Sequence, residues 1–131
     1  MRCVDIYYKS ISESGKQMIN YVCKYAPVEL FKGFGQECAV LEEMPENFDK
    51  SDKIAHANLC GFGKSVIQAV LDGKVDELVL VNCCDSMRRV YDIIENTKKC
   101  KFLYMLDLPH EDNECENIKF AQSIIRLKNA Y

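Results

Sequence analysis

Two structural patterns meet in a single stretch, Val79-Leu80-Val81-Asn82-Cys83-Cys84-Asp85-Ser86-Met87-Arg88-Arg89-Val90-Tyr91-Asp92. Its first residues form an apolar run rich in valine and leucine, which predicts a buried strand. From Met87 onward, apolar residues recur at helical spacing, which predicts a helix. In an open α/β sheet, the junction between such a strand and helix lies at the carboxyl edge of the sheet, where ligands bind.

Two adjacent thiols stand at this junction. The partial positive charge of a helix N-terminus favours a thiolate over a thiol. Cys84 is at the predicted helix start, with Asp85 or Ser86 as the predicted cap, so we assign it the reactive or metal-binding role. Its neighbour Cys83 points in a different direction, and we assign it to packing.

Strand and helix patterns alternate along the rest of the chain. The predicted strands are residues 17–22, 38–41, 77–81 and 102–106. The predicted helices are 28–32, 62–71, 85–96 and a last helix through 118–127, with a short helix within 1–16 and a short turn at 51–56. This alternation predicts a flavodoxin-like open parallel sheet of about four strands, with helices on both faces. We expect residues 1–131 to form a single α/β domain.

Composition excludes several classes of protein. Nearly half of the 131 residues are apolar, and the net charge of −3 comes with no basic block that would indicate nucleic-acid binding. No apolar run approaches the length of a membrane span. The N-terminus has no apolar segment typical of a secretory signal, so we expect a cytoplasmic location.

Eight cysteines are unusual for a chain of this kind. In a reducing cytosol they are core fillers, metal ligands or redox groups, and most are expected to be core fillers, because free cysteine packs as a small hydrophobe. The eight are Cys3, Cys23, Cys38, Cys60, Cys83, Cys84, Cys100 and Cys115.

Three of these cysteines share a context that the others lack. Cys23 follows the first predicted strand, Cys84 follows the third, and Cys60 opens the helix that leads into the third. In a parallel sheet all three lie near one edge, where thiolates can hold an iron–sulfur cluster. Zinc is the poorer match, because the chain has no C-x-x-C pair. From spacing alone, scattered buried cysteines remain the preferred interpretation.

The segment Gly61-Phe62-Gly63-Lys64-Ser65 ends like a phosphate-binding loop. The full pattern requires a glycine where Asn58 stands, so the motif fails. We interpret the segment as a close turn into the helix after Cys60. Lys64 is expected to be solvated, with an anion such as phosphate as the alternative.

Four further side chains are candidates for chemistry. His56 and His110 are lone histidines in loops, for which a surface role is preferred over acid–base catalysis. Arg88 and Arg89 begin a helix and suit either phosphate and carboxylate binding or an ordinary helix surface.

Four segments together resemble one protein family. They are 21–30, which is similar to C-S-Y-x-P-x-E-x-I, 58–65 around a second cysteine, 82–92, which is similar to C-D-x-x-R-x-x-Y-D, and 102–110, a strand and turn. On these motifs, residues 17–128 are identified as similar to the 2-hydroxyacyl-CoA dehydratase D-component family. The family includes 2-hydroxyglutaryl-CoA dehydratase subunits, benzoyl-CoA reductase relatives and double-cubane cluster proteins.

The resemblance implies a flavodoxin-like domain that binds an oxygen-sensitive iron–sulfur cluster, either [4Fe–4S] or double-cubane, through Cys60, Cys84 and Cys23. It implies an acyl-CoA substrate and an ATP-dependent activator that delivers one electron. In the dehydratases that electron reaches the thioester carbonyl, and the resulting ketyl radical expels the neighbouring hydroxyl group. An iron without a cysteine ligand polarises the substrate oxygen.

Two features of the sequence differ from the dehydratase pattern. Family subunits continue into a second, similar domain that supplies another cluster cysteine, so we expect this chain to need a second domain or subunit and to lack dehydratase activity alone. Cys23 is typical of the double-cubane branch, which makes an ATP-dependent reductase fragment one alternative. A non-catalytic cluster scaffold or partner-binding domain is the other.

Overall fold

The computed structural model describes residues 18–42 and 44–131. The short helix predicted within residues 1–16 lies outside them, as does Gln17. The elements are β1 (Met18–Tyr21), α1 (Val28–Gly33), β2 (Glu37–Val40), α2 (Ser51–Ile54), α3 (Gly61–Leu71), β3 (Glu77–Val81), α4 (Asp85–Thr97), β4 (Phe102–Leu106) and α5 (Glu114–Ala130).

The four strands form one sheet in the order β2-β1-β3-β4, and every pairing is parallel. Tyr21 at the end of β1 lies between Val40 of β2 and Val79 of β3. β3 and β4 have the predicted bounds, and β1 and β2 differ from prediction by one residue at each end. The flavodoxin-like open α/β sheet is therefore confirmed.

β3 is buried on both faces of the sheet, and its side chains alternate between the two sides. Leu78 and Leu80 of β3 pack with buried side chains of α3 and α4. Val79 and Val81 pack on the opposite face with buried side chains of α1 and α5. Burial on both faces explains why the sequence of β3 is a nearly continuous apolar run. The prediction of helices on both faces is confirmed.

The start of α4 differs from the prediction. Its N-cap is Cys84, whose backbone is extended (φ −161°, ψ 164°), so Asp85 is already the first helical residue. The prediction that Asp85 or Ser86 caps the helix was wrong. The Asp85 carboxylate instead lies 3.5 Å from the Arg88 guanidinium, one helical turn away.

The last helix, α5, buries a narrower face than its apolar residues predict. Leu127 and Ser123 pack against the sheet, whereas Ile118 and Ile125 are 51% and 54% exposed. These isoleucines are seven residues apart and share the side of the helix opposite Leu127. Neither α5 nor any other helix in the described ranges is both long and apolar enough to cross a membrane.

Candidate functional site

The site lies where the order of the strands reverses. β1 is followed along the chain by β2 on its outer side, and β3 is followed by β4 on the other side. The loops that leave β1 and β3 therefore diverge and open a crevice at the carboxyl edge. Cys23 and Cys84 stand in these two loops, so the prediction that they share one edge of the sheet is confirmed.

Cys60 and Cys84 occupy equivalent positions in neighbouring helices. Cys60 is the N-cap of α3, and Cys84 is the N-cap of α4. The two helices pack closely near these ends: a Cβ placed on Gly63 would lie 3.0 Å from Cγ2 of Val90. Only a glycine fits at position 63 without displacement of its neighbours. Residues 61–65, interpreted from the sequence as a close turn into the helix, are themselves the first residues of α3.

The two capping cysteines differ in their hydrogen bonds. The Gly63 amide donates to Sγ of Cys60 across 3.4 Å, whereas the side chain of Cys84 makes no capping hydrogen bond within the described part of the chain. Both residues are exposed. The sulfur of Cys60 therefore contacts one of the free N–H groups of its first helical turn, and such groups favour negative charge.

Cys23 has an unusual backbone conformation. Its φ of +82° lies in the region that favours glycine. The residue is half-buried at the end of β1 and contacts both hydrophobic cores. Backbone conformations of this kind store strain and cluster at functional sites.

Cys83 was predicted to pack inside the protein, and this prediction was wrong, because the residue is exposed. Its amide donates to the Val81 carbonyl across 2.8 Å, which turns the chain as soon as β3 ends. Partial burial raises the pKa of the Cys83 thiol, and the neighbouring thiols of Cys84 and Cys23 raise it further. Cys83 therefore lies among the edge cysteines, close to the thiols of Cys84 and Cys23.

The described residues do not gather these thiols into a finished metal site. Within 18–42 and 44–131, no group of three or more His, Cys, Asp or Glu side chains is arranged to hold a metal ion. The donors still fit an iron–sulfur cluster in kind, since they are accessible thiols at one sheet edge. However, the described residues do not bring enough thiols to one point to coordinate a cluster. Further ligands or a movement of these loops are therefore required.

A polar network that sequence reasoning missed crosses the same edge. Asn82 follows β3, and Asp107 follows β4, directly after paired residues of the two strands. Nδ2 of Asn82 donates to Asp107 across 3.0 Å, and Nε of Arg88 donates to Oδ1 of Asn82 across 2.6 Å. The missed signal was a polar residue directly after each of two neighbouring strands. Arg88 is therefore held in a fixed orientation.

The remaining candidates have ordinary surroundings. Lys64 forms an ion pair with Asp52 (2.8 Å). His56 is exposed, and its Nδ1 accepts a hydrogen bond from the Asn58 amide. The exposed His110 donates its backbone amide to the Glu116 carboxylate. None of these contacts indicates acid–base chemistry.

A cavity of about 510 Å³ lies beside the two N-caps. It is bounded by the loop before Cys60 and by the first turns of α4, and its lining residues are His56, Asn58, Leu59, Asp85, Ser86, Arg89 and Ile93. Arg89 is thus the second cation at this edge, next to a space large enough for part of a small ligand.

Comparison with known proteins identifies a relationship for most of the chain. The family described as 2-hydroxyglutaryl-CoA dehydratase, D-component, matches residues 23–130. The match begins at Cys23 and includes both capping cysteines. A search of the curated proteins found no match.

Proposed function

This chain belongs to the 2-hydroxyglutaryl-CoA dehydratase D-component family, and on that premise we propose that it is an iron–sulfur-binding component of a 2-hydroxyacyl-CoA dehydratase-type enzyme. The ligands assigned to the cluster are Cys60 and Cys84, with Cys23 as the third. The cytoplasm is the proposed location, since thiolate ligands persist in a reducing compartment.

One observation carries the assignment of Cys60 and Cys84. Both are N-caps of helices that run side by side on one face of the sheet, and the Gly63–Val90 contact keeps their ends close. Sγ of Cys60 accepts a hydrogen bond from the Gly63 amide of its own helix, and Cys84 occupies the same N-cap position of the neighbouring helix. This arrangement supports two thiolate ligands supplied by one rigid pair of helices.

An iron–sulfur cluster, when bound, supplies one-electron transfer and a Lewis-acidic iron for a substrate oxygen. The chain's own residues orient the surroundings. Asn82 and Asp85 hold the Arg88 guanidinium at the edge, and Arg89 lines the adjacent cavity. These two cations suit the anionic groups of an acyl-CoA.

A partner is part of the proposal. The described residues gather no three-ligand group, so a companion domain or subunit is expected to complete the coordination and close the crevice, with an ATP-dependent activator as the electron donor. We therefore expect the 131-residue chain to show no sustained turnover of a 2-hydroxyacyl-CoA by itself. Sustained turnover by the isolated chain, supplied with activator, ATP and reductant, would contradict the need for a companion.

A second candidate function is a double-cubane-type ATP-dependent reductase. The observation that favours it is Cys23, which shares the edge with Cys84 and keeps a strained backbone there. In this candidate Cys23 is a full cluster ligand, so Cys23→Ser should lose as much iron as Cys84→Ser. In a dehydratase-type site, the loss on Cys23→Ser should be the smaller of the two.

The adjacent residues Cys83 and Cys84 provide a matched control for the test of the proposed cluster ligands. The protein is reconstituted anaerobically with iron and sulfide, alone and with the candidate companion, and both elements are measured. Cys60→Ser and Cys84→Ser should each lose most of the bound iron, whereas Cys83→Ser should retain the wild-type amount. Equal loss in the Cys83 and Cys84 variants would remove the assignment of Cys84.

A further inference from the structure

We propose that two copies of this chain associate through β4, which pairs antiparallel with β4 of the second copy so that the sheet continues across the dimer. Within residues 18–42 and 44–131, β4 is an edge strand whose single strand neighbour is β3. An edge strand presents unpaired backbone N–H and C=O groups. The sequence Phe102–Leu106 has no charge, proline or glycine to prevent pairing.

The hydrogen bonds of β3 show which groups of β4 face outward. The Leu106 carbonyl accepts from the Asn82 amide across 2.8 Å, so Leu106 directs its backbone groups toward β3. Successive residues of a strand direct these groups to opposite sides. The backbone N–H and C=O groups of Tyr104 therefore also face β3. The backbone groups of Leu103 and Met105 face away from β3 and are available to a new strand.

An antiparallel register centred on Tyr104 satisfies these outward groups. It places Leu103 opposite Met105 of the second copy, and the two residues exchange both of their hydrogen bonds. Leu103 and Met105 both pack on the α4 face of the sheet, and Phe102 and Leu106 both pack on the α5 face. Apolar side chains therefore meet apolar side chains on each face of the continuous sheet.

Charge complementarity selects a second copy in this orientation. Lys101 precedes the strand and Asp107 follows it, each three residues from Tyr104. The two-fold arrangement therefore sets Lys101 opposite Asp107 of the second copy, twice in the dimer. A parallel arrangement would set like charges together. The Lys101 side chain is 63% exposed and pairs with Asp76 at the surface, so it can contact a new carboxylate.

The surface beside β4 provides room for side chains of the second copy. A pocket of about 470 Å³ is lined by Tyr104 and Met105 of β4 and by Arg88, Tyr91 and Asp92 of α4. Tyr104 and Met105 lie on opposite faces of the sheet, so the pocket opens around the edge of the strand. Stable interfaces bury about 1,200–2,000 Å² in total, so we expect α4, which lines this pocket, to contribute to the contact together with the strand.

Charge reversal tests the register in the full chain, kept reduced so that no disulfide forms. The association constant is measured by sedimentation equilibrium for the wild type, Lys101→Glu, Asp107→Lys and the double variant. Each single reversal should weaken the dimer by about tenfold, because two cross-strand pairs change from attraction to repulsion. The double variant should recover most of the loss, and thermal melts establish that every variant is folded.

Hydrogen exchange supplies a second readout. Protection of the Leu103 and Met105 amides should rise with protein concentration, while the Tyr104 amide, bonded to β3, should be protected throughout. A chain that stays monomeric at the highest concentration reached would overturn the proposal. So would a dimer insensitive to charge reversal, or Leu103 and Met105 amides protected at every concentration, which would show that the chain's own residues cover the edge.

Discussion

Adding one methyl group at Gly63 tests how the two N-caps are held together. The new Cβ of Gly63→Ala would lie 3.0 Å from Cγ2 of Val90 and 3.2 Å from Cγ of Leu59. Val90 is fully buried and β-branched within α4, so it has little rotamer freedom with which to move aside. The helices must therefore separate by a few tenths of an ångström near Cys60.

Two opposing effects determine how much Gly63→Ala changes the free energy of unfolding. Overpacking of a well-packed contact costs about 1–3 kcal/mol, and replacement of glycine by alanine within a helix returns about 1 kcal/mol. The overpacking cost is the larger, so Gly63→Ala should lower the free energy of unfolding by about 1 kcal/mol, or the melting temperature by about 3–5 °C. Iron retention should fall with it, because the spacing of Cys60 and Cys84 changes.

The same helix offers the control. Apart from the chain neighbours of Gly61 and the nearby backbone of α3, no atom of the described residues lies within 4 Å of the position that a methyl group on Gly61 would occupy. Gly61→Ala should therefore be neutral or stabilising by up to about 1 kcal/mol. Urea unfolding of both variants measures the difference. In a Val90→Ala background, Gly63→Ala should become stabilising. If Gly63→Ala proves as stable as Gly61→Ala in the wild-type background, the close contact does not set the helix spacing.

Two further predictions concern Cys23 and Tyr131. Cys23→Gly should raise the free energy of unfolding by about 1 kcal/mol by relieving the positive φ, whereas Cys23→Ala should not. Equal melting temperatures for the two variants would show that the backbone at this position is unstrained. Tyr131 donates to the buried Glu77 carboxylate across 2.9 Å, and burial, with that carboxylate, raises the pKa of Tyr131 to about 12. A raised pKa stabilises the fold below the unfolded value, and this stabilisation is lost as the pH rises through about 10 to 12. The melting temperature should therefore fall more steeply with pH across this range for the wild type than for Tyr131→Phe. Parallel curves of melting temperature against pH would exclude Tyr131 as the cause.

The sequence predicts most of the fold because its strands have strong local signals. Residues 78–81 of β3 and all of β4 are continuous apolar runs bounded by polar residues, and both strands were found at the predicted positions. The exposure of Ile118 and Ile125 could not be read from α5, because its apolar residues surround much of the helix. Which of them meets the sheet depends on packing against β4 rather than on helical spacing.

The candidate site was predicted in position and only partly in detail. Alternation of strands and helices predicts parallel strands, and parallel strands place Cys23 and Cys84 at one edge of the sheet. Cys84 as N-cap was not predicted, because Asp and Ser are the preferred caps and the residue's extended backbone has no sequence signal. Asn82 and Asp107 are 25 residues apart, and Asn82 and Arg88 are six residues apart. A polar residue directly after each strand was a usable signal, but the hydrogen bonds themselves depend on strand pairing and side-chain orientation, which no local pattern specifies.

Cysteine footprinting tests the central claim most directly. The protein, with its companion if one is required, is alkylated anaerobically before and after loading with iron and sulfide, and the modified cysteines are identified by mass spectrometry. Cys60 and Cys84 should react before loading and be protected after it, whereas Cys115, exposed on α5, should react equally in both. A loaded cluster that leaves Cys60 and Cys84 as reactive as before would contradict their assignment as its ligands.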